Sequence, residues 1–152
     1  MANKLSYVST TYTPPSRALS GENSIFAKVL SVLAAVADSR VGIGEVIHDY
    51  AVQTGEQIKT LAKAQESVEK GVATTQDKET LEQAGEIIKR LEKLLEILPG
   101  AMRRNNTETI GRKERITLRQ IERLANDFAR SPEAHYFLTH YPQTALLEAS
   151  AV

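Results

Sequence analysis

Apolar residues recur every three or four positions along two long stretches of the chain. Such spacing places the side chains on one stripe of an α-helix, and a stripe of this kind has to be buried. Only a short polar break, residues 73–76, separates the two stretches, which predicts antiparallel neighbouring helices. The first seam contains Ile47, Ala51, Thr54, Ile58, Leu61, Gln65, Val68 and Val72, and the second contains Leu81, Ala84, Ile88, Leu91, Leu95 and Leu98.

A further apolar segment, from Ile25 to Val36, precedes the first seam. It is apolar around most of its circumference, which predicts a largely buried helix that Asn23 or Ser24 caps. Two glycines in residues 40–45 allow either a bend or a new helix, and each costs about 1 kcal/mol relative to Ala inside a helix. We favour a continuous or kinked helix that extends to about Lys70.

Capping and breaking residues predict where the remaining helices begin and end. Thr74 and Asp77 match a capping box, so the second seam helix should span about 77–98 and stop at Pro99-Gly100. A third helix covers about 109–130. The run Ser131-Pro132-Glu133 is a strong helix start and predicts a short fourth helix, 132–140, that ends before Tyr141-Pro142.

These elements predict an all-α fold: a long antiparallel helical hairpin, coiled-coil-like, with shorter C-terminal helices packed on it. Residues 1–23 are rich in Ser and Thr and are expected to be disordered. Residues 24–141 should form a single helical domain, with the hairpin at about 24–98 and basic helices at about 108–140. Residues 142–152 should form a flexible tail. We favour seams that pack within one chain; the alternative is an intermolecular coiled coil. Thr54 and Gln65 should weaken the seam and help to set its register.

Composition narrows the classes of function. The chain has 152 residues, no Cys and no net charge, so disulfides, thiolate metal sites and Cys nucleophiles are excluded. No apolar run reaches the roughly 18 residues of a membrane span, and the N-terminus lacks the pattern of a secretory signal.

Catalytic and metal-binding motifs are missing from the sequence as well. His48 and Glu45 could supply two metal ligands but no third is visible, and His135 and His140 do not share a helix face. Because no nucleophile elbow, phosphate loop or dinucleotide loop occurs, we predict no enzyme, no cofactor and no small-molecule substrate.

Charge is distributed unevenly along the chain, and this distribution is more informative than the net charge. Residues 38–98 carry 12 acids and 8 bases, whereas residues 99–130 carry 4 acids and 8 bases, mostly Arg. Arg suits bidentate contacts with carboxylate or phosphate, so the predicted partner-binding residues are Arg112, Arg115, Arg119, Arg123 and Arg130. The alternatives are a solvated face or an intramolecular contact with the acidic seam helices.

The segment from Leu124 to Ala134 resembles the turn of helix-turn-helix proteins, which typically read Ser-Pro-Glu before the recognition helix. The resemblance implies nucleic-acid binding by a degenerate helix-turn-helix at about 112–138. It departs from the family pattern at Ala129, which stands for the turn Gly, and at Arg130 and His135, which stand for buried apolar residues.

The sequence therefore predicts a non-enzymatic helical interaction or assembly protein that binds partner helices or copies of itself. In style, its acid-poor N-terminus and its helical hairpins resemble small components of bacterial type III-like export machines, and phage structural proteins share that style. The sequence leaves the localisation open between the cytoplasm and export by a leaderless route. The alternative is an oligomeric nucleic-acid-binding protein.

Overall fold

The computed structural model describes residues 24–38, 44–106 and 112–151 of the chain, and the side chains of residues 102–106 and 112–118 are outside that description. Six helices contain nearly all of the described residues, which include no strand. The prediction of an all-α fold is confirmed, and the helices pack as a bundle. They are α1 (Ile25–Ala37), α2 (Glu45–Glu69), α3 (Thr75–Glu82), α4 (Ala84–Asn106), α5 (Arg112–Arg130) and α6 (Pro132–Ala151).

The predicted helix starts are confirmed at three positions. The Ser24 hydroxyl accepts a hydrogen bond from the Ala27 amide at 3.2 Å and caps α1. Thr74 and Asp77 form the full capping box of α3, in which each side chain accepts from the other residue's backbone amide. The Ser131 hydroxyl accepts from the Ala134 amide at 3.0 Å and caps α6. Each side chain thus satisfies an amide that the first helical turn leaves without a partner.

The favoured continuous or kinked helix to Lys70 is wrong, because α1 ends at Ala37 and α2 begins at Glu45. Gly44, which precedes α2, has φ +82°, a left-handed conformation that favours glycine and interrupts a helix. At the other end of α2, Gly71 has φ +73° and completes a Schellman motif: its amide donates to Val68 and the Val72 amide donates to Ser67. Residues 39–43, which contain Gly42, lie outside the described residues.

Two predicted helix ends are also wrong, and both errors concern proline. α4 continues through Pro99 to Asn106, and α6 continues through Pro142 to Ala151. The expected flexible tail is therefore helical up to Ala151, and its Ala145 and Ala149 are buried. A proline inside a helix costs about 3 kcal/mol, but burial of the residues on either side of it can outweigh that cost. The second seam helix is also divided at Gln83, into α3 and α4.

One hydrophobic core contains most of both seams. Ala51, Ile58 and Leu61 of α2 and Leu81, Ile88 and Leu98 of α3 and α4 are buried together with the inner face of α1. Val72 is the exception, because it lies beyond the end of α2 and is exposed. α2 contacts α1, α3 and α4, and α6 contacts α3, α4, α5 and α1. The seams therefore pack within the chain, as the favoured interpretation predicts.

An aromatic cluster connects α1 to α6. The Phe26 ring meets the rings of Phe137 and Tyr141 edge to face, at centroid distances of 5.2 and 5.3 Å, while Phe137 and Tyr141 stack on each other at 5.0 Å. Edge-to-face pairs of this kind contribute about 0.5–1.5 kcal/mol beyond their buried area. This cluster holds α6 in one rotation about its axis and so determines which of its side chains face outwards.

Candidate interaction surface

The Arg side chains of α5 that the structure describes point away from the core. Ile121, Ala125 and Phe128 follow helical spacing and are buried, because α5 packs on α1 and α4. Arg119, Arg123 and Arg130 occupy the opposite face, and all three are exposed. At about 1.5 Å per residue, the row from Arg119 to Arg130 is roughly 16 Å long.

Of the five predicted partner-binding residues, the structure places these three in one row, which we call the Arg face (Arg119, Arg123 and Arg130). Arg112 and Arg115 belong to α5 by backbone, but their side chains lie outside the described residues. Among the described residues, none forms a salt bridge with the Arg face.

Acidic side chains border the Arg face on both flanks. Asp127 is exposed and Glu122 is half-buried, and neither shares the row that the three Arg side chains occupy. The positive surface is therefore one side chain wide. An ion pair joins Lys28 of α1 to Glu133 of α6 at 2.6 Å. This pair crosses the junction of α1, α5 and α6.

The junction of α5 and α6 consists of Ser131 alone. Besides capping α6, the Ser131 hydroxyl donates to the Phe128 carbonyl at 2.9 Å and so closes the end of α5. Arg130 and His135, which stand where the helix-turn-helix pattern has buried apolar residues, are both exposed. The helix that would enter a DNA groove, α6, contains neither Lys nor Arg. Phosphate contacts depend on such cations, so α6 is poorly suited to this role.

A groove of about 510 Å³ lies between α1 and α5. The sequence analysis missed it, because it depends on how two helices distant in the chain pack together. Leu124, an apolar residue of α5 that is 43% exposed, lines this groove. Six of its lining residues are Ala27, Lys28, Val32, Leu124, Phe128 and Glu133.

A second surface that the sequence analysis missed follows the outer side of α6. Tyr136, His140, Gln143 and Leu147 are exposed and recur at helical spacing. The Tyr136 and His140 rings stack with a centroid distance of 4.2 Å and an interplanar angle of 14°. We call this row the α6 stripe. The sequence analysis missed it because Gln143 and Leu147 fall in the segment that was expected to be a flexible tail.

A polar network with a buried centre connects α2 to α6. The Tyr141 hydroxyl donates to the Gln65 carbonyl oxygen at 2.8 Å, and the Gln65 amide donates to Glu69 at 3.1 Å and to Glu148 at 3.3 Å. Burial, together with the nearby carboxylates of Glu148 and Glu69, raises the pKa of the Tyr141 phenol well above its ordinary value. Gln65 therefore fixes α6 against α2, and its neighbours keep Tyr141 protonated.

The three histidines do not converge. His48 lies 3.4 Å from the Asp49 carboxylate, its immediate neighbour in α2, while His135 and His140 are exposed on α6. In the described ranges, no three His, Cys, Asp or Glu side chains group closely enough to hold a metal ion. No helix in the same ranges has the length and apolarity needed to cross a membrane.

The fold and the surfaces define a class, an all-α helical bundle with a basic helix face. No protein family matches the chain, and neither the curated proteins nor the solved structures include a significant match.

Proposed function

We propose that this protein is a non-enzymatic helical interaction or assembly protein, and that the Arg face of α5 binds an acidic helix of a partner protein. The observation that carries the proposal is the alignment of Arg119, Arg123 and Arg130 in one exposed row opposite the buried face of α5. A guanidinium binds carboxylate through two parallel hydrogen bonds, so a row of three offers both attraction and register.

The width of the row favours a protein helix over a nucleic acid. An acidic helix can present one line of carboxylates at the same three- and four-residue spacing, over the same length of roughly 16 Å. Lysines of the partner helix, on either side of its line of carboxylates, would face Asp127 and Glu122, which flank the Arg face. A duplex spreads its phosphates over two strands, and some of them would then meet these two acids.

Nucleic-acid binding is the second candidate, because Arg is equally suited to phosphate and because the segment from Leu124 to Ala134 resembles the turn of helix-turn-helix proteins. The absence of Lys and Arg from α6 weighs against it. If the duplex is the true partner, three phosphate contacts would give a log–log salt slope of about −2.7.

One binding experiment separates the two partners. The probes are an acidic helical peptide, with Glu at positions i, i+4, i+7 and i+11 and Lys on its flanks, and a random 20-base-pair duplex. The full chain is compared with the triple variant Arg119→Glu, Arg123→Glu, Arg130→Glu. The matched control is Lys63→Glu, Lys89→Glu, Lys93→Glu, which makes the same change in net charge at exposed positions of α2 and α4.

We expect the peptide to bind at low salt, to lose at least about tenfold in affinity in the Arg variant and to keep its affinity in the control. Tighter binding of the duplex than of the peptide would indicate that the partner of the Arg face is a nucleic acid and not a protein. Binding of neither probe, or equal losses in both variants, would contradict an Arg-face partner site.

We also propose a cellular process for this interaction, which is bacterial protein export. The resemblance in style to components of bacterial type III-like export machines predicts that residues 1–20 direct export. We expect a fusion of these residues to a reporter to be secreted by a competent strain, and a fusion of the reversed 20-residue sequence to be retained. Retention of both fusions would remove the export setting and leave the Arg-face proposal intact.

A further inference from the structure

The outer face of α6 exposes no Asp, Glu, Lys or Arg side chain. The exposed positions of α6 are Pro132, His135, Tyr136, Thr139, His140, Gln143, Leu146, Leu147, Ser150 and Ala151. Charged residues make up 25% of the chain, so a solvent-facing helix of this length should carry several. The helix does contain Glu133 and Glu148, but both are half-buried and turned towards neighbouring helices.

The same face exposes large apolar side chains. Leu147 is 72% exposed, Leu146 is 53% exposed and the Tyr136 ring is partly exposed beside His140. Depletion of charge together with aromatic and aliphatic side chains is typical of the centre of a protein–protein interface. The inner face of α6 is fixed by buried Phe137, Tyr141 and Ala145, so this outer surface is not available to the protein's own core.

The α6 stripe has a spacing that reads the same in both directions. Tyr136, His140, Gln143 and Leu147 are separated by four, three and four residues, which is the spacing of a coiled-coil seam. A two-fold axis between His140 and Gln143 would place Tyr136 opposite Leu147 of a second copy and His140 opposite Gln143. The apolar ends then pack on each other, and the polar centre can form hydrogen bonds.

We infer that α6 is a self-association surface, which pairs two copies of this chain antiparallel about that axis. The charge of the stripe favours a second copy as its partner. The stripe contains no Asp, Glu, Lys or Arg, so two copies of it can pack together without like-charge repulsion. The Arg face could not pair with itself in this way. A two-fold pair buries the same patch on both copies and is therefore closed, which predicts a dimer and not a filament.

This inference is independent of the Arg face, and substitutions separate the two. The test measures the mass of the full chain by sedimentation equilibrium over a wide range of concentrations. We expect a monomer–dimer equilibrium whose Kd rises about 100-fold in Leu147→Glu, because symmetry places the new carboxylate twice against an apolar side chain. The exposure of Leu147 allows this variant to fold normally.

The matched control is Val46→Glu, which adds the same charge at another exposed apolar position, at the start of α2. It should leave the Kd unchanged. A wild-type chain that is monomeric at every concentration would overturn the inference. So would equal weakening by both variants, or dimerisation that the Arg-face variant abolishes and Leu147→Glu does not affect.

Because the chain contains no Cys, crosslinking can test the antiparallel arrangement directly. Tyr136→Cys and Leu147→Cys are prepared separately and oxidised either alone or as a mixture. We expect the mixed disulfide to dominate in the mixture, because the two-fold axis brings these positions together across the interface. Disulfides that form mainly between identical variants would indicate parallel helices and would contradict the proposed pairing.

Discussion

Gln65 shows how one polar residue can determine the position of an element. Its side chain is 1% exposed in a mostly apolar seam, yet its amide is satisfied by Tyr141, Glu69 and Glu148. An unpartnered buried amide would cost about 1–3 kcal/mol, so α6 is favoured in the single register that supplies these partners. The sequence predicts that Gln65 sets a register. The structure shows that this register involves α6, whose Tyr141 and Glu148 are 76 and 83 residues away in the chain.

Tyr141 gives this site a measurable dependence on pH. Its pKa is raised above the ordinary 10.0 by burial first and by Glu148 and Glu69 second, so the folded state holds the phenol proton more tightly than the unfolded state does. The associated stability is complete below about pH 10 and is lost as pH rises above that value. We expect the free energy of unfolding to fall by up to about 1.4 kcal/mol per pH unit above pH 10 from this residue.

Urea unfolding followed by circular dichroism between pH 8 and 11.5 measures this loss. Tyr141→Phe should be less stable at pH 8, because it leaves Gln65 without a donor, but should lose less stability as pH rises. Tyr136→Phe, at an exposed position of the same helix, should follow the wild-type curve. An identical alkaline slope in wild type and Tyr141→Phe would show that Tyr141 does not carry the effect.

At the scale of the element, helix starts were easier to predict than helix ends. A cap is a local arrangement, so Thr74 with Asp77 and Ser131 with Pro132 could be identified within four residues. Prolines are harder to interpret. The free-energy cost of a proline inside a helix has to be compared with the stabilisation that its neighbours gain when distant parts of the chain bury them. Leu98 and Ala101 are buried on either side of Pro99, and Tyr141 and Ala145 on either side of Pro142. That burial comes from partners that local spacing does not reveal.

The capping box of α3 makes a prediction at this scale. Thr74→Ala removes the hydroxyl that accepts from the Asp77 amide and should destabilise the protein by about 1 kcal/mol. Thr60→Ala is the matched control, since Thr60 lies inside α2 and its hydroxyl bonds only a helix carbonyl. That control should be neutral or slightly stabilising, because Ala has the higher helix propensity. Denaturant midpoints compare the two, and equal losses would contradict a capping role for Thr74.

At the scale of the whole molecule, the seams and the Arg face could be predicted because both follow a helical repeat within one segment. The α6 stripe and the groove between α1 and α5 could not. The first required knowing that α6 continues past Pro142, and the second required knowing that residues about 100 positions apart meet, as Lys28 and Glu133 do. Surfaces built from one helix are therefore visible in the sequence, whereas surfaces built from two depend on the packing.

The aromatic cluster tests whether these helices behave as one cooperative unit. Phe26 is 1% exposed and contacts Phe137 and Tyr141, so it joins the first described helix to the last. Phe26→Ala should cost about 3–5 kcal/mol through lost burial and a cavity, and hydrogen exchange should rise together in α1, α2 and α6. Val46→Ala, at an 80% exposed site, should change stability by less than about 0.5 kcal/mol. If exchange rose in α1 alone, α6 would have its own stability, and its stripe could remain ordered when α1 detaches.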